Sequence, residues 1–239
     1  MSYQKPLPLI IPPPPPLSSI SYDQHQQIVR ENYASVGPKT KKDRNKTEMK
    51  PLRKVQNFIM TSLLRYLLEP MPHPIQILEL AMGKGGSLTK LMRLNFIENM
   101  VGIDTTHESV VDATDRYYSL LRENPWMRMS ATFIHDDCFF KPIESVFQTY
   151  ENDNKDLNVK LPREYDAVSC QMAFHYACNT KEIMETAISN MAESVRKMGL
   201  VILTFPNAAY ITQLLTYEMS IRPTSTKIGD LCTLSIEVE

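Results

Sequence analysis

Apolar residues recur along this chain with two different periods, which predict alternating helices and strands. From residue 51 to Pro70 they recur every three or four positions, the period of an amphipathic helix. The segment after Pro74 is a short apolar run that ends at glycines, which is typical of a buried strand. The helical positions are Leu52, Val55, Ile59, Leu63 and Leu67.

The rest of the chain continues this alternation. Beyond the elements above, we expect helices at 21–35, 86–94, 107–124, 139–151, 180–198 and 208–217 and strands at 100–104, 131–137, 165–176, 200–205 and 232–239. The strand at 165–176 runs into a loop, and Gly199 is expected to stop the helix at 180–198. Strands that alternate with helices predict an α/β fold, with a mostly parallel sheet covered by helices on both faces.

The first 20 residues differ in composition from the rest of the chain. Five consecutive prolines, Pro12 to Pro16, exclude the helical core of a signal peptide. We expect residues 1–20 to form a disordered, Pro-rich polyproline II tail, or else a ligand for an SH3- or WW-type domain. Residues 36–50 are polar and basic, which favours a solvated loop, an arm that contacts phosphates or a weak nuclear import signal. Residues 21–239 then form one domain.

Composition excludes one class of protein and leaves others open. The chain has 239 residues, of which 43% are hydrophobic, enough for a substantial core. Its formal net charge of −1 does not exclude a polyanionic partner, because a local basic surface suffices for binding. No run approaches the ~20 apolar residues of a membrane helix, so we expect no membrane span. The 4 cysteines match no zinc-site spacing and indicate reduced intracellular thiols.

Glycine is scarce in this chain but clustered. Three of the 7 glycines, Gly83, Gly85 and Gly86, fall within four positions between a predicted strand and a predicted helix. Glycines let a ligand approach the backbone closely and permit positive φ. The spacing is neither G-x-G-x-x-G nor a Walker A loop, since a lysine stands between the glycines. It therefore favours an adenosyl ligand without phosphate over a nucleotide pyrophosphate.

An acidic residue ends each of the next two predicted strands. Asp104 lies 21 positions after Gly83, where a carboxylate accepts hydrogen bonds from both hydroxyls of a ribose. Asp137 ends the following strand, from which a carboxylate reaches the adenine side. Each acid alone also fits a capping role at the start of the next helix. The glycines and the two acids at successive strand ends together favour a binding site.

Eight segments together make the chain resemble one family. They are VRENYAS (29–35), PLRKVQNFI (51–59), LELAMGKGGSLTK (78–90), GID (102–104), SVVDATDRYY (109–118), FIHDD (133–137), CQMAFHY (170–176) and TFPNAAYI (204–211). In these segments the chain is similar to the eukaryotic mRNA cap guanine-N7 methyltransferases. The resemblance implies a Rossmann-like, class I S-adenosylmethionine-dependent fold, methyl transfer to guanine N7 of the mRNA 5′ cap, and a location in the nucleus.

The resemblance also implies which residues form the two sites. The methyl donor, S-adenosylmethionine, would be held by Ala81, Gly83, Asp104, Asp137, Gln171 and Tyr176. The cap and its phosphates would be held by Asn57, Lys84, Lys90, Arg116 and His175. Cations at the mouth of the glycine loop also suit a triphosphate bridge on chemical grounds. The expected partners are the capped 5′ end of an mRNA and, as a further candidate, an activating subunit.

No catalytic side chain is expected for this reaction. Guanine N7 carries a lone pair and no proton, and a sulfonium donor has a good neutral leaving group. Transfer then needs orientation and an environment that tolerates the movement of charge to the purine. The sequence accordingly predicts no general base, and it implies no metal.

The chain departs from the family at four positions in or next to these segments. Ala81 replaces a glycine, Ser87 replaces an acid, Met60 replaces a lysine that pairs with the methionyl carboxylate, and Gln56 replaces the first of two cap-site asparagines. The C-terminal lobe of the family, which completes the guanine pocket, is expected to be missing. Two other functions therefore stay open. One is a catalytically weakened or inactive RNA-binding or protein-interaction module, and the other is a methyltransferase with another substrate.

Overall fold

The computed structural model describes residues 50–207, three single helical positions at 27, 209 and 213, and the backbone of 225–228 and 232–235. The predicted Pro-rich tail lies outside the described residues, as does nearly all of the basic segment at 36–50. The same holds for most of the predicted helices at 21–35 and 208–217.

Helices and strands alternate along the described residues. In chain order they are α1 (Lys50–Leu68), β1 (Ile75–Leu80), α2 (Leu88–Met92), β2 (Ile97–Asp104), α3 (His107–Glu123), β3 (Ser130–His135), α4 (Ile143–Asp153), β4 (Tyr165–Gln171), α5 (Lys181–Ser194), β5 (Val195–Thr204), β6 (Ser225–Ile228) and β7 (Cys232–Ser235). Two short 3₁₀ helices, Lys155–Leu157 and Phe174–Asn179, flank β4.

Strands β1 to β5 form one sheet in which every neighbouring pair is parallel, in the order β3-β2-β1-β4-β5. Every residue of β4 is buried, as expected for a strand that is covered on both faces. The strand order reverses between β1 and β4, and ligands of open α/β sheets bind outside the carboxyl ends of the strands at such a point. The predicted α/β fold is confirmed, and β6 and β7 form a separate antiparallel pair.

The core has two parts, one on each face of the sheet. Neighbouring residues of β1 alternate between them, so that Leu78 packs with Phe147 and Met191 of α4 and α5, and Ile77 packs with Leu64 of α1. The period-2 alternation of a strand explains this division. Within the described part of the chain, no helix has the length and apolarity to cross a bilayer.

Helix α1 has the predicted length but not the predicted buried face. Its two fully buried residues, Leu64 and Leu68 near its end, are 1% and 0% exposed, and partly buried residues from Met60 onwards pack against the same core. The earlier apolar positions Val55 and Ile59 are 54% and 52% exposed. The periodic pattern therefore located the helix correctly, but only its last turns reach the sheet.

The boundary between α5 and β5 differs most from the prediction. The helix expected to continue to residue 198 ends at Ser194, and β5 begins at Val195. Strand pairing overrides the helical pattern, because Val195 pairs with Tyr165 before the register shifts. Gly199 is not a helix stop but a close-packed position of β5, where a Cβ would lie 2.8 Å from the carbonyl oxygen of Asp166.

Other boundaries shift by smaller amounts. The predicted helix at 139–151 begins at residue 143, the helix at 86–94 is limited to 88–92, and the strand at 131–137 ends at 135. The strand at 165–176 ends at Gln171 and is followed by a 3₁₀ helix, while β6 was not predicted. The helix predicted at 139–151 begins late because side-chain hydrogen bonds hold residues 138–142 in a turn, as described below.

Candidate functional site

The glycine loop, residues 81–87, joins the carboxyl end of β1 to α2 and lies against the end of β2. The Met82 N–H donates to the Ile103 carbonyl at 3.0 Å, and the Gly83 N–H donates to Asp104 Oδ2 at 2.8 Å. The loop is thus fixed to the neighbouring strand at the reversal point of the sheet, where the sequence placed a ligand.

Three residues of this loop have left-handed backbone conformations. Their φ angles are +52° at Ala81, +54° at Gly83 and +66° at Gly85. Ala81 is the residue that stands where the family has a glycine, and an L-residue in this region costs about 1 kcal/mol. Gly85 is required for a second reason, because a Cβ there would overlap the Leu88 side chain. A Cβ at Gly86 would meet open space.

Asp104 ends β2 with a carboxylate that is almost completely buried. The residue is 3% exposed, and its Oδ1 accepts a hydrogen bond from the Thr106 N–H at 2.9 Å. Burial raises the pKa of Asp104. Hydrogen bonds from Thr106 and Gly83 and the nearby charge of His135 act in the opposite direction but do not cancel this shift. An ionised carboxylate has about four acceptor positions. The two backbone donors leave acceptor capacity on each oxygen, so Asp104 is suited to the paired hydroxyls of a ribose.

Asp137 follows β3 and stabilises its own turn. It is 2% exposed, and its Oδ1 accepts from the N–H groups of Phe139 and Phe140 at 2.9 and 3.0 Å. Asn190 of α5 holds the same turn, because it donates to the carbonyls of Cys138 and Lys141. The carboxylate therefore has the local capping role that the sequence left open, although it caps a turn and not the start of α4.

Gln171 lies at the carboxyl end of β4, and its amide joins β4 to β5. Its Nε2 donates to Ser169 Oγ at 3.0 Å and to the Ile202 carbonyl at 3.2 Å, and its Oε1 accepts from Thr204 Oγ1 at 2.9 Å. The next residue, Met172, has φ of +58°. Gln171 thus shapes this edge of the sheet through contacts with neighbouring strands.

His175 and Tyr176 lie beyond β4, in the 3₁₀ helix at 174–179. Their ring centroids are 4.2 Å apart. Partial burial lowers the pKa of His175, which favours the neutral imidazole at neutral pH. The pair offers one aromatic hydroxyl and one neutral imidazole beside the end of β4.

The three cations predicted to face the cap converge on the glycine loop. Lys90 Nζ donates to the Gly86 carbonyl at 2.7 Å, and Arg116 Nη1 donates to the Gly85 carbonyl at 3.0 Å. Lys84 forms an ion pair with Asp112 of α3 at 2.6 Å, and both side chains are about half exposed. A half-exposed ion pair contributes little net stability and exchanges partners readily.

Asn57 and Met60 lie apart from this group, on α1. Asn57 is exposed, and its carbonyl accepts from Thr61 Oγ1 within the helix. Within residues 50–207, no hydrogen bond joins the Asn57 side chain to the glycine loop. Met60 is partly buried and packs against the apolar cluster beneath α1.

Glu79 is a buried acid of this region that the sequence reasoning missed. It is 2% exposed within β1, and the Ser87 hydroxyl donates a short hydrogen bond to its Oε2. Burial raises the pKa of Glu79 to about 7, although the Ser87 hydrogen bond and the charge of Lys90 oppose this shift. The available signal was an acid inside an apolar strand immediately before the glycines.

Sequence comparisons with known proteins point to one family. The family model for the mRNA (guanine-N(7))-methyltransferase domain matches residues 18–229. The mRNA cap guanine-N(7) methyltransferase of Cryptococcus neoformans is 29% identical over 91% of this chain and 32% of that protein. The Saccharomyces cerevisiae protein of the same name is 30% identical over 81% of this chain and 40% of that protein.

A solved structure adds a comparison at the level of coordinates. It is an S-adenosylmethionine-dependent methyltransferase from Thiobacillus denitrificans in complex with S-adenosyl-L-homocysteine. The match covers 66% of this chain and 54% of that chain, at 16% sequence identity and a TM-score of 0.41. The present chain spans less than half the length of the two curated relatives above. The match of the family model over most of the chain places this protein in the mRNA (guanine-N(7))-methyltransferase domain family.

Proposed function

We propose that this chain binds S-adenosylmethionine at the carboxyl ends of β1, β2 and β4 and directs its methyl group to guanine N7 of an mRNA 5′ cap. The observation that supports this most is the joint geometry of the glycine loop and Asp104. A Gly83 N–H and a buried carboxylate meet at 2.8 Å at the reversal point of the sheet, in a chain of the cap methyltransferase family.

The chemistry of this site suits the donor. Asp104 offers acceptor oxygens to two hydroxyls, and Gly83, Gly85 and Gly86 carry no side chain that would keep a ligand from the backbone of the loop. Asp137, Gln171 and Tyr176 surround the same edge, where Asp137 and Gln171 act by fixing the turns beside it. When bound, S-adenosylmethionine would supply a methyl group on a sulfonium centre.

The residues on the acceptor side orient the base and do not remove a proton. His175 favours the neutral form because partial burial lowers its pKa. A neutral imidazole can hydrogen bond a purine without repelling the positive charge that the purine gains on N7 methylation. Asn57 is the proposed contact on the α1 side of the guanine.

The cations around the glycine loop suit the phosphates of the cap. Lys84 is the one whose partner is a half-exposed carboxylate, so a phosphate can replace Asp112 as its counter-ion. Lys90 and Arg116 add positive charge while they hold the Gly86 and Gly85 carbonyls. A capped mRNA, with its triphosphate bridge, is therefore the proposed substrate.

The cellular setting follows from this proposal. Cap methylation belongs to mRNA maturation, so we place the protein in the nucleus. The proline-rich tail remains a proposed ligand for an SH3- or WW-type domain, and an activating subunit is a further proposed partner.

A methyl-transfer assay tests the proposal. The purified 239-residue chain is incubated with methyl-labelled S-adenosylmethionine and with RNA ending in GpppA or in an uncapped triphosphate. The proposal predicts label in 7-methylguanosine from capped RNA alone. Asp104→Ala should reduce transfer at limiting donor by ten-fold or more, on the order of 1.5–3 kcal/mol for hydrogen bonds to a charged group. Asp115→Asn, an exposed acid on α3, is the matched control. Methyl transfer to another base or to uncapped RNA would show that the cap guanine is not the substrate.

A second function, as a module that binds RNA or protein without catalysis, is favoured by two specific observations. Ala81 holds a strained left-handed conformation where the family has glycine, and Met60 packs, partly buried, against the core where the family has a lysine. A folded chain that binds capped RNA with no methyl transfer would support this function instead.

A further inference from the structure

Glu79 is a buried carboxyl group to which the proposed function assigns no role. It is 2% exposed, two residues before the left-handed Ala81. The hydroxyl of Ser87, itself 2% exposed, closes the glycine loop back onto this carboxyl group. Among the ion pairs of residues 50–207, none includes Glu79. A buried acid without a cationic partner is costly to ionise, so its surroundings decide its charge.

The charged and titratable groups around Glu79 come from three elements. Lys90 of α2 favours the ionised form of Glu79, and its ammonium also donates to the Gly86 carbonyl. Burial and the nearby charge of Arg116 lower the pKa of Lys90. Asp104 of β2 opposes ionisation, and the thiol of Cys170 on β4 also interacts with Glu79. The balance holds the pKa of Glu79 at about 7, so both protonation states are populated near neutral pH.

The donor and its product differ mainly in one charge. S-adenosylmethionine carries a positive sulfonium, whereas S-adenosylhomocysteine carries a neutral thioether, and the adenine and ribose are the same. A nearby positive charge favours an ionised carboxylate in a poorly solvated site. A carboxyl group poised between its two states beneath the donor loop can therefore respond to this difference.

We propose that Glu79 makes this site select the cationic donor over its neutral product, by losing its proton to solvent when the sulfonium binds. The inference rests on the proposed donor site and adds a specificity-determining residue to it. Glu79 acts through its charge and needs no direct contact with the donor. Product release is favoured by the same device, because loss of the sulfonium charge restores the protonated carboxyl group.

Proton counting by calorimetry tests this inference. S-adenosylmethionine and S-adenosylhomocysteine are each titrated into the full chain at pH 7, in two buffers with different ionisation enthalpies. Protons from each ligand's own amino group are measured separately with free ligand and subtracted. The wild type should release up to about 0.5 proton more with the donor than with the product, as expected for a group that is half ionised.

Variants isolate the contribution of Glu79. Glu79→Gln should abolish the extra proton release and lower the donor-to-product affinity ratio at pH 8 about three-fold or more. Glu193→Gln, an exposed acid at the end of α5, should change neither quantity. If Glu79→Gln does not fold, the inference is tested by the difference in proton release between donor and product, measured in the wild type and in Glu79→Asp.

The outcomes separate this inference from the proposed function. Equal proton release with both ligands, or an unchanged affinity ratio in a folded Glu79→Gln variant, would overturn the role of Glu79 while the donor site stands. Failure of the folded wild type to bind either ligand would instead overturn the donor site, and the inference with it.

Discussion

Two poorly exposed glutamates of this chain have opposite surroundings. Glu151 of α4 is 8% exposed and accepts hydrogen bonds from Arg163 and from the Leu161 N–H, both at 2.8 Å. These contacts, with Lys160, lower its pKa to about 2. Glu79 is 2% exposed and receives the Ser87 hydroxyl, and burial raises its pKa to about 7.

The difference separates a structural cluster from a region suited to a ligand. Arg163 also pairs with Glu144 and lies 5.4 Å above the Phe147 ring, so the chain itself satisfies Glu151 and thereby fixes the segment before β4 to α4. At Glu79 the chain supplies only partial compensation. A buried titratable group with such partial compensation, beside the proposed donor loop, is typical of a functional site.

The largest expected effect lies in the glycine loop. Gly85→Ala places a Cβ against Leu88 at φ of +66°, and we expect a loss of about 3 kcal/mol in the free energy of unfolding. Gly86→Ala is the matched control, because its Cβ meets open space, and it should change stability by less than about 0.5 kcal/mol. Urea denaturation measures both, and similar losses in the two variants would contradict the loop geometry.

Removal of Glu151 should affect stability without affecting donor binding. Glu151→Ala leaves the Leu161 N–H without its acceptor and Arg163 with Glu144 as its remaining ion-pair partner, and we expect it to lower the free energy of unfolding by about 2 kcal/mol. Glu144→Gln, at a half-exposed position, should cost less than about 1 kcal/mol. A ten-fold weaker affinity for S-adenosylhomocysteine in the folded Glu151→Ala variant would mean that the two regions are coupled.

The two glutamates should change stability with pH in opposite directions. The pKa of Glu79 is raised, so its contribution is greatest below about pH 4.5 and is lost as the pH rises to about 7. The pKa of Glu151 is lowered, so its contribution is present above about pH 4.5 and is lost as the pH falls towards 2.

Denaturation curves at several pH values measure this contrast. Relative to Glu79→Gln, the wild type should lose about 2 kcal/mol between pH 5 and pH 7.5. Parallel curves for the two proteins would show that Glu79 does not titrate in this range.

The smallest expected effect concerns Ala81. Ala81→Gly relieves a left-handed conformation but increases the freedom of the unfolded chain, so we expect a net gain of about 0.5 kcal/mol. Ala167→Gly, within β4, should instead lose about 1 kcal/mol. Thermal denaturation compares the two, and a loss at both positions would indicate that Ala81 is not strained.

Local patterns predicted the elements of this edge well. The apolar run 75–80, the glycines and Asp104 were each found at their expected places, because a strand, a tight loop and a strand end depend mostly on neighbouring residues. Lys84, Lys90 and Arg116, which the family resemblance placed at the mouth of the glycine loop, lie around that loop in the structure.

Features that depend on distant residues were not predictable. Residues 195–198 continue a helical pattern, but their pairing with β4 makes them the start of β5. The exposed face at Val55 depends on where α1 meets the sheet, and the environment of Glu79 depends on Ser87 and Lys90 folding back over β1. The roles of Asp137 and Gln171 as donor contacts stay predictions, since the structure shows their bonds to neighbouring turns and strands.

Calorimetric titration with S-adenosylhomocysteine tests the central claim most directly, that the edge formed by the glycine loop and Asp104 binds the methyl donor. The account predicts micromolar binding to the wild type and to Asp115→Asn, and at least ten-fold weaker binding to Asp104→Ala, on the order of 1.5–3 kcal/mol. Equal affinity in all three folded proteins, or no binding to the wild type, would contradict it.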